Sequence, residues 1–141
     1  MDFNLPPETE DLRLRVRAFI DKEVLPLEQD PANFSEHENI PEDRLAAVRE
    51  KARKAGLWAP QSPKEYGGMD LPMVAWAVMY EEAARSLFGP LAFNCMAPDD
   101  GNMNVLKKLG HPGDDRSAVP RVCGERQRAG QIGRASCRER V

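Results

Sequence analysis

The sequence contains no long apolar run, and this excludes one class of protein at once. A membrane-spanning helix needs about 20 consecutive apolar residues, and no segment of the 141 residues approaches that length. The first twelve residues, MDFNLPPETEDL, are acidic and polar, whereas a signal peptide begins with basic residues followed by an apolar core. We therefore predict a protein without a membrane span that resides in the cytoplasm.

Residues that bind metals are also scarce. The three cysteines, Cys95, Cys123 and Cys137, are odd in number and lack C-x-x-C spacing, so they predict neither a disulfide scaffold nor a zinc site. One of the two histidines lies in the run Glu36–Glu38, but these adjacent residues lack the i, i+4 spacing of H-E-x-x-H. A solvated loop is the favoured interpretation of this run over a metal site, and we predict no metal ligand.

Lysine is absent from the last 31 residues. Residues 111–141 contain 4 acidic and 7 basic residues, all seven of them arginine, whereas residues 1–110 contain 19 acidic and 13 basic residues. Basic tails often bind nucleic acid, but they usually mix lysine with arginine, and a bias to Arg, Gly, Ala and Pro is typical of GC-rich DNA read out of frame. Residues 132–141, translated back into codons, match a common short-read sequencing adapter. We interpret residues 132–141 as an adapter-derived scar and residues 111–131 as an aberrant, disordered join, and we predict no nucleic-acid binding.

Strand patterns are missing as well, and helical ones take their place. A first helix is expected to begin near Pro6 and Pro7 and to end at Pro26. Its apolar residues recur at three- and four-residue spacing: Leu12, Val16, Phe19, Ile20 and Val24. A second helix begins at Pro41 and ends at Gly56, which stands where a left-handed C′ residue is wanted, with Leu57 positioned for the accompanying apolar contact.

The later helices are shorter or more apolar. Residues 72–85 are apolar nearly all round, which predicts a helix covered by its neighbours. Short helices at about 91–96 and 101–109 complete the set. The fold class is therefore all-α, a bundle of about five helices within residues 1–110.

Few residues suggest chemistry. Asp99 and Asp100 could pair as acid and base, but capping of the next helix is the favoured interpretation. The segment YGG at residues 66–68 lacks both G-x-G-x-x-G and a P-loop lysine, and it predicts a tight turn with positive φ. The remaining candidates are predicted to be core residues rather than parts of a site: Met73, Trp76, Met79 and Cys95. We identify no catalytic and no cofactor-binding residue.

Three segments together resemble a known family. They are KAGLWAPQSPKEYGGMDL, the helix that carries YEEAARS, and GPLAFNCMAPDDGNMNVLKKLG. They resemble the N-terminal helical domain of acyl-CoA dehydrogenases, and the last segment resembles a long-chain or uncharacterised bacterial and mitochondrial branch. The resemblance covers residues 5–110, so we assign residues 1–110 to this domain.

The resemblance implies a three-domain enzyme with FAD as its cofactor. Such enzymes oxidise an acyl-CoA to the trans-2-enoyl-CoA, with a glutamate taking the α-proton and flavin N5 taking a hydride, and they pass electrons to an electron-transferring flavoprotein. The intact enzymes are expected to be homo-oligomers. The catalytic glutamate and the flavin-binding segment of the family belong to the other two domains, and residues 111–141 match neither. We therefore expect this fragment to be inactive and to bind no flavin by itself.

The resemblance implies one contribution from this lobe, a wall of the acyl-chain pocket. The wall candidates are Met96, Ala97, Asn102 and Met103, for which core packing and capping are an equal alternative. Glu81 and Glu82 match a helix glutamate whose role in the family is structural. A second hypothesis is a standalone helical module that binds acyl chains or a partner helix without catalysis.

Overall fold

The computed structural model describes residues 4–34, 40–96, 100–102 and 104–105. Over these ranges the chain is helical and contains no strand, which confirms the all-α prediction. The segments predicted as a join and a scar, residues 111–141, lie outside the described ranges, as does the run Glu36–Glu38. The helices are α1 (Pro7–Phe19), α2 (Leu25–Glu28), α3 (Glu42–Lys54), α4 (Met73–Ala83) and α5 (Gly89–Ala92).

Shorter helical pieces connect these elements. A π-helical segment, Ile20–Val24, joins α1 to α2, and 3-10 turns occupy Pro31–Asn33 and Lys64–Tyr66. Residues 100–102 and 104–105 are also helical. Within the described residues, no helix is both long enough and apolar enough to cross a membrane.

The prediction that the first helix ends at Pro26 is wrong. Proline lacks an N–H, and its ring clashes with the carbonyl four residues earlier, which normally kinks or ends a helix. Here the turn before it widens to π geometry, in which N–H groups bond to carbonyls five residues back. The Leu25 N–H accordingly donates to the Ile20 carbonyl, and Pro26 lies in the first turn of α2. The helical path therefore continues to Glu28.

The end of α3 confirms its prediction. Gly56 has a φ of 69°, its N–H donates to the Arg53 carbonyl at 3.0 Å, and the Leu57 N–H donates to the Ala52 carbonyl at 2.9 Å. These two bonds form a Schellman motif. Leu57 is 2% exposed, so the apolar contact expected after the glycine is also present.

The core lies between α1, α4 and the pair α3 and α5. Helix α1 packs against α4, and α3 packs against α5. Each of these elements and the π segment contribute completely buried side chains: Val16, Ile20, Val24, Leu45, Ala52, Met79, Ala83 and Ala92.

Helix α4 is less covered than its composition predicts. Met79 is buried as expected and Trp76 is half-buried, but Met73 is 73% exposed and Val74 is 57% exposed. Met73 is therefore not a core residue. The reason is geometric, because the buried residues of α4 recur at three- and four-residue spacing and so share one face, and Met73 and Val74 lie off that face.

The YGG segment makes the predicted tight turn. Gly67 has a φ of 78°, which glycine adopts without steric cost. Gly68 is needed for a different reason, since a Cβ there would lie 2.2 Å from the Ser62 carbonyl oxygen. The Asp70 N–H donates to that same oxygen at 2.8 Å. The turn therefore folds back onto the segment that contains Gln61.

Candidate functional site

Four polar side chains from separate parts of the chain meet beside α4. Asp100 Oδ2 accepts hydrogen bonds from the Tyr80 hydroxyl at 2.8 Å and from Gln61 Nε2 at 2.7 Å. Gln61 Nε2 also contacts the Tyr80 oxygen, and Asn104 Nδ2 donates to Gln61 Oε1 at 2.7 Å. Burial, together with the bond to Asp100, raises the pKa of Tyr80 well above its usual range. We call this group the polar cluster: Gln61, Tyr80, Asp100 and Asn104.

The backbone beside the polar cluster is conformationally unusual. Ala59 and Asn94 have φ values of 48° and 55°, a region that non-glycine residues rarely adopt, although asparagine does so more readily than alanine. Both residues line the space around the cluster, and that space leaves no volume into which a water molecule fits. The Ala59 N–H donates to the Phe93 carbonyl at 2.9 Å. The cluster is thus closely packed and has no room for a ligand in this structure.

One member of this cluster, Asp100, is predicted from the sequence as a helix cap, with an acid–base pair as the alternative. The structure places its carboxylate against Tyr80 and Gln61, while Asp99 lies outside the described residues. The available signal for Tyr80 was a polar side chain in the otherwise apolar part of α4. No local pattern marked Gln61 or Asn104.

A groove of about 550 Å³ lies between α1 and α3. Its floor is apolar, with Phe19 and Leu57, and its rim is basic. The basic side chains are already paired: Lys51 with Glu23 at 2.6 Å, Lys22 with Glu23 at 3.8 Å, Lys54 with Glu50 at 3.6 Å and Arg15 with Asp11 at 3.9 Å.

The pairing has an electrostatic consequence for Glu23. The hydrogen bond from Lys51 is the main reason that the pKa of the Glu23 carboxyl lies below its usual range. The groove therefore carries ion pairs along its rim.

A third polar group ties α1 to α4. Glu82 is 4% exposed, and its carboxylate accepts two bonds from Arg17, at 2.6 and 3.0 Å, and one from Arg13 at 3.3 Å. Arg85 lies 3.7 Å away on the same carboxylate. The pKa of Glu82 is lowered mainly by the hydrogen bond from Arg17. Because α1 and α4 carry opposite sides of this network, its role is to hold the two helices together.

Comparison with known proteins decides the family. Residues 6–126 match the profile of the acyl-CoA dehydrogenase N-terminal domain. The chain belongs to the acyl-CoA dehydrogenase family. The match runs past residue 110, where the predicted domain ends, and the boundary between residues 110 and 111 stays a prediction.

Relatives support this assignment. The chain is 32% identical over 107 residues to acyl-CoA dehydrogenase family member 11 of Gallus gallus, covering 72% of this chain and 13% of that protein. It is 31% identical over 113 residues to family member 10 of Mus musculus, covering 75% of this chain and 11% of that protein. A solved structure of a candidate acyl-CoA dehydrogenase from Mycobacterium abscessus superposes with a TM-score of 0.72 at 32% identity, over 86% of this chain and 32% of that one. The chain thus spans a small part of the curated relatives that it matches.

The predicted acyl-pocket wall is only partly within the described ranges of this acyl-CoA dehydrogenase lobe. Met96 is 42% exposed, and Asn102 is exposed as well. Ala97 and Met103 lie outside the described residues. Neither Met96 nor Asn102 lines the groove or the space around the polar cluster, so the assignment of these four residues stays a prediction.

The space around the polar cluster is too small for the flavin that the family implies. The groove is rimmed by internal ion pairs, and the polar cluster has no free volume. Among the described residues, no group of three or more His, Cys, Asp or Glu side chains could hold a metal ion. We therefore derive no step of flavin or metal chemistry from the residues of this chain.

Proposed function

We propose that this chain is the N-terminal lobe of an FAD-dependent acyl-CoA dehydrogenase that oxidises an acyl-CoA to the trans-2-enoyl-CoA. The observation that supports the proposal is the match of residues 6–126 to the N-terminal domain of that family. The all-helical architecture of the described residues agrees with it. In such an enzyme the flavin would be held outside this lobe.

In this proposal, the lobe contributes to the acyl pocket of the enzyme through the segment around residues 96–105. Met96 and Asn102 present exposed side chains here, so both are available to contact an acyl chain or a further domain. Together with Ala97 and Met103 they would form one wall of the acyl pocket. The wall would contribute to substrate selection, because shape and apolar contact decide which chain lengths a pocket accepts.

The partners follow from the same proposal. The intact enzyme would be a cytoplasmic homo-oligomer that takes acyl-CoA as its substrate and passes electrons to an electron-transferring flavoprotein. The 141-residue chain alone would bind no flavin and would not turn over.

Sequencing the genomic locus across codon 110 tests the proposal. We expect an open reading frame that continues into further domains, and the encoded full-length protein should be yellow and should reduce a dye in the presence of an acyl-CoA. An authentic stop codon close to Gly110 would instead support the standalone helical module. The matching test on the short chain is its visible absorbance, since a flavin band in the purified 141-residue protein would contradict its expected inability to bind FAD.

Substitution of Asn102 by alanine in the full-length enzyme tests the wall. We expect an altered preference for acyl-chain length, because the side chain would contact substrate. The matched control is Glu81→Gln, whose side chain is exposed on α4 and should leave the preference unchanged. Equal chain-length profiles for both variants would remove Asn102 from the wall.

A further inference from the structure

We infer that the polar cluster anchors residues 100–102, 104 and 105 to the rest of the lobe and that Tyr80 and Gln61 are positioning residues for this segment. The anchoring itself rests on contacts within the chain. Its link to substrate selection rests on the proposed function, because the same segment carries part of the predicted acyl-pocket wall.

Three observations support the anchor, and the first is convergence. Tyr80 lies within α4, Gln61 lies in the segment after α3, and both donate to one oxygen of Asp100. Asn104 adds a third contact one helical turn later, through Gln61 Oε1. Residues four apart share one face of a helix, so the two contacts hold that face of the segment at two points.

The second observation is that apolar packing contributes little to holding residues 100–102, 104 and 105, the described part of this segment. Gly101 and Asn102 are exposed, and Val105 is 55% exposed. Residues 91–95, just before it, are buried instead. A segment with few buried apolar contacts opens more easily than the core, so its position depends on the polar bonds that it makes.

The third observation is that one side of the anchor is rigid. Both neighbours of Gln61 are held by backbone bonds, with the Leu71 N–H donating to the Pro60 carbonyl at 2.9 Å and the Asp70 N–H donating to the Ser62 carbonyl at 2.8 Å. Tyr80 is held by α4 and by its ring contact with Trp76 at 5.2 Å between centroids. Because these partners are fixed, the bonds determine where Asp100 and Asn104 lie.

Amide hydrogen exchange of the 141-residue chain tests the anchor. In Tyr80→Phe we expect the amides of residues 101, 102, 104 and 105 to exchange about tenfold faster, as befits the loss of a hydrogen bond to a charged group. The α3 amides of Val48 and Ala52 should keep their rates. The control is Tyr66→Phe, at the other tyrosine of the chain, which should change neither set.

A second pair of variants separates anchoring from a general loss of structure. Asp100→Asn keeps a side-chain oxygen that can accept from Tyr80 and should retain most of the protection, whereas Asp100→Ala should lose it. Unchanged exchange of residues 101, 102, 104 and 105 in both Tyr80→Phe and Asp100→Ala would overturn the anchor, and so would equal acceleration of the segment and of α3. These results do not depend on flavin or acyl-CoA, so they distinguish a failed anchor from a failed functional proposal.

Discussion

Replacing Glu82 by glutamine should destabilise the lobe substantially, whereas the same change at Glu81 should not. Glu82 is buried and accepts bonds from Arg17 and Arg13, with Arg85 nearby. Glu81 is exposed on the other side of α4. The two residues are identical in type and adjacent in sequence, so the comparison isolates the effect of the network between α1 and α4.

The expected loss of stability follows from the arginine charge that is left without its partner when Glu82 becomes glutamine. Removing one partner of a fully buried ion pair costs about 3–5 kcal/mol, because the other charge remains uncompensated. Here the Arg17 side chain is 44% exposed, so water recovers part of its solvation, and we expect about 2 kcal/mol. For a domain of about 100 residues this corresponds to a fall in Tm of about 10 °C. The Glu81→Gln change should stay within about 0.5 kcal/mol.

The pH dependence provides a second signature. The bond from Arg17 lowers the pKa of Glu82 below its ordinary value of 4.5. A carboxyl with a lowered folded-state pKa contributes its full stability above its unfolded value, and it loses that contribution as the pH falls through the folded-state value. The difference in unfolding free energy between wild type and Glu82→Gln should therefore be constant above about pH 5 and should shrink at lower pH. Glu23 also has a lowered pKa, but its contribution is common to both proteins and cancels in the difference.

Urea unfolding followed by circular dichroism, at several pH values between neutrality and acid, measures these quantities. Equal destabilisation by Glu81→Gln and Glu82→Gln would refute the proposed role of the network. It would show that the loss of a glutamate from this part of α4, and not the loss of the network, lowers the free energy of unfolding. A difference that persists unchanged at the lowest accessible pH would refute the electrostatic account specifically. It would indicate a loss of packing rather than a loss of paired charge.

Two further predictions use single side chains. Gly56→Ala should cost about 1 kcal/mol from its left-handed φ alone, because a Cβ there meets only the tip of Arg15, at 3.9 Å. Gly89→Ala should cost about 3 kcal/mol, because its Cβ would lie 2.0 Å from the Ala83 carbonyl oxygen. Similar unfolding free energies for the two variants would contradict this expected difference. In a chain with Cys123 and Cys137 replaced by serine, Cys95 should react with a thiol reagent at pH 8 only after denaturation, because burial raises its pKa to about 12, and rapid labelling of the native protein would be evidence against this.

Features that depend on residues close together in the chain were predictable from the sequence. The Gly56 turn depends on the conformation of one residue and on bonds that span at most five positions, and its residues follow one another in the printed sequence. The positive φ of Gly67 was predictable on the same basis. The helical class followed from apolar spacing, which is also a local property.

The prediction that the first helix ends at Pro26 was wrong because the helical turn before the proline adopts π geometry and accommodates it. Proline normally stops a helix, but the preceding π turn, Ile20–Val24, accommodates Pro26. The core side chains of that turn, Ile20 and Val24, are completely buried. Long-range packing thus favours a continued helical path at a position where the sequence pattern indicates a stop.

Local patterns in the chain were sufficient for its helical class and for the turns at Gly56 and Gly67, since each depends on neighbours a few residues apart. The roles of individual polar side chains depend on folding. Whether Glu81 or Glu82 is buried depends on how α4 is rotated against α1, and the contact between Gln61 and Asp100 joins residues 39 positions apart. Such partners are chosen by the packing of whole helices, and no spacing within one helix encodes them.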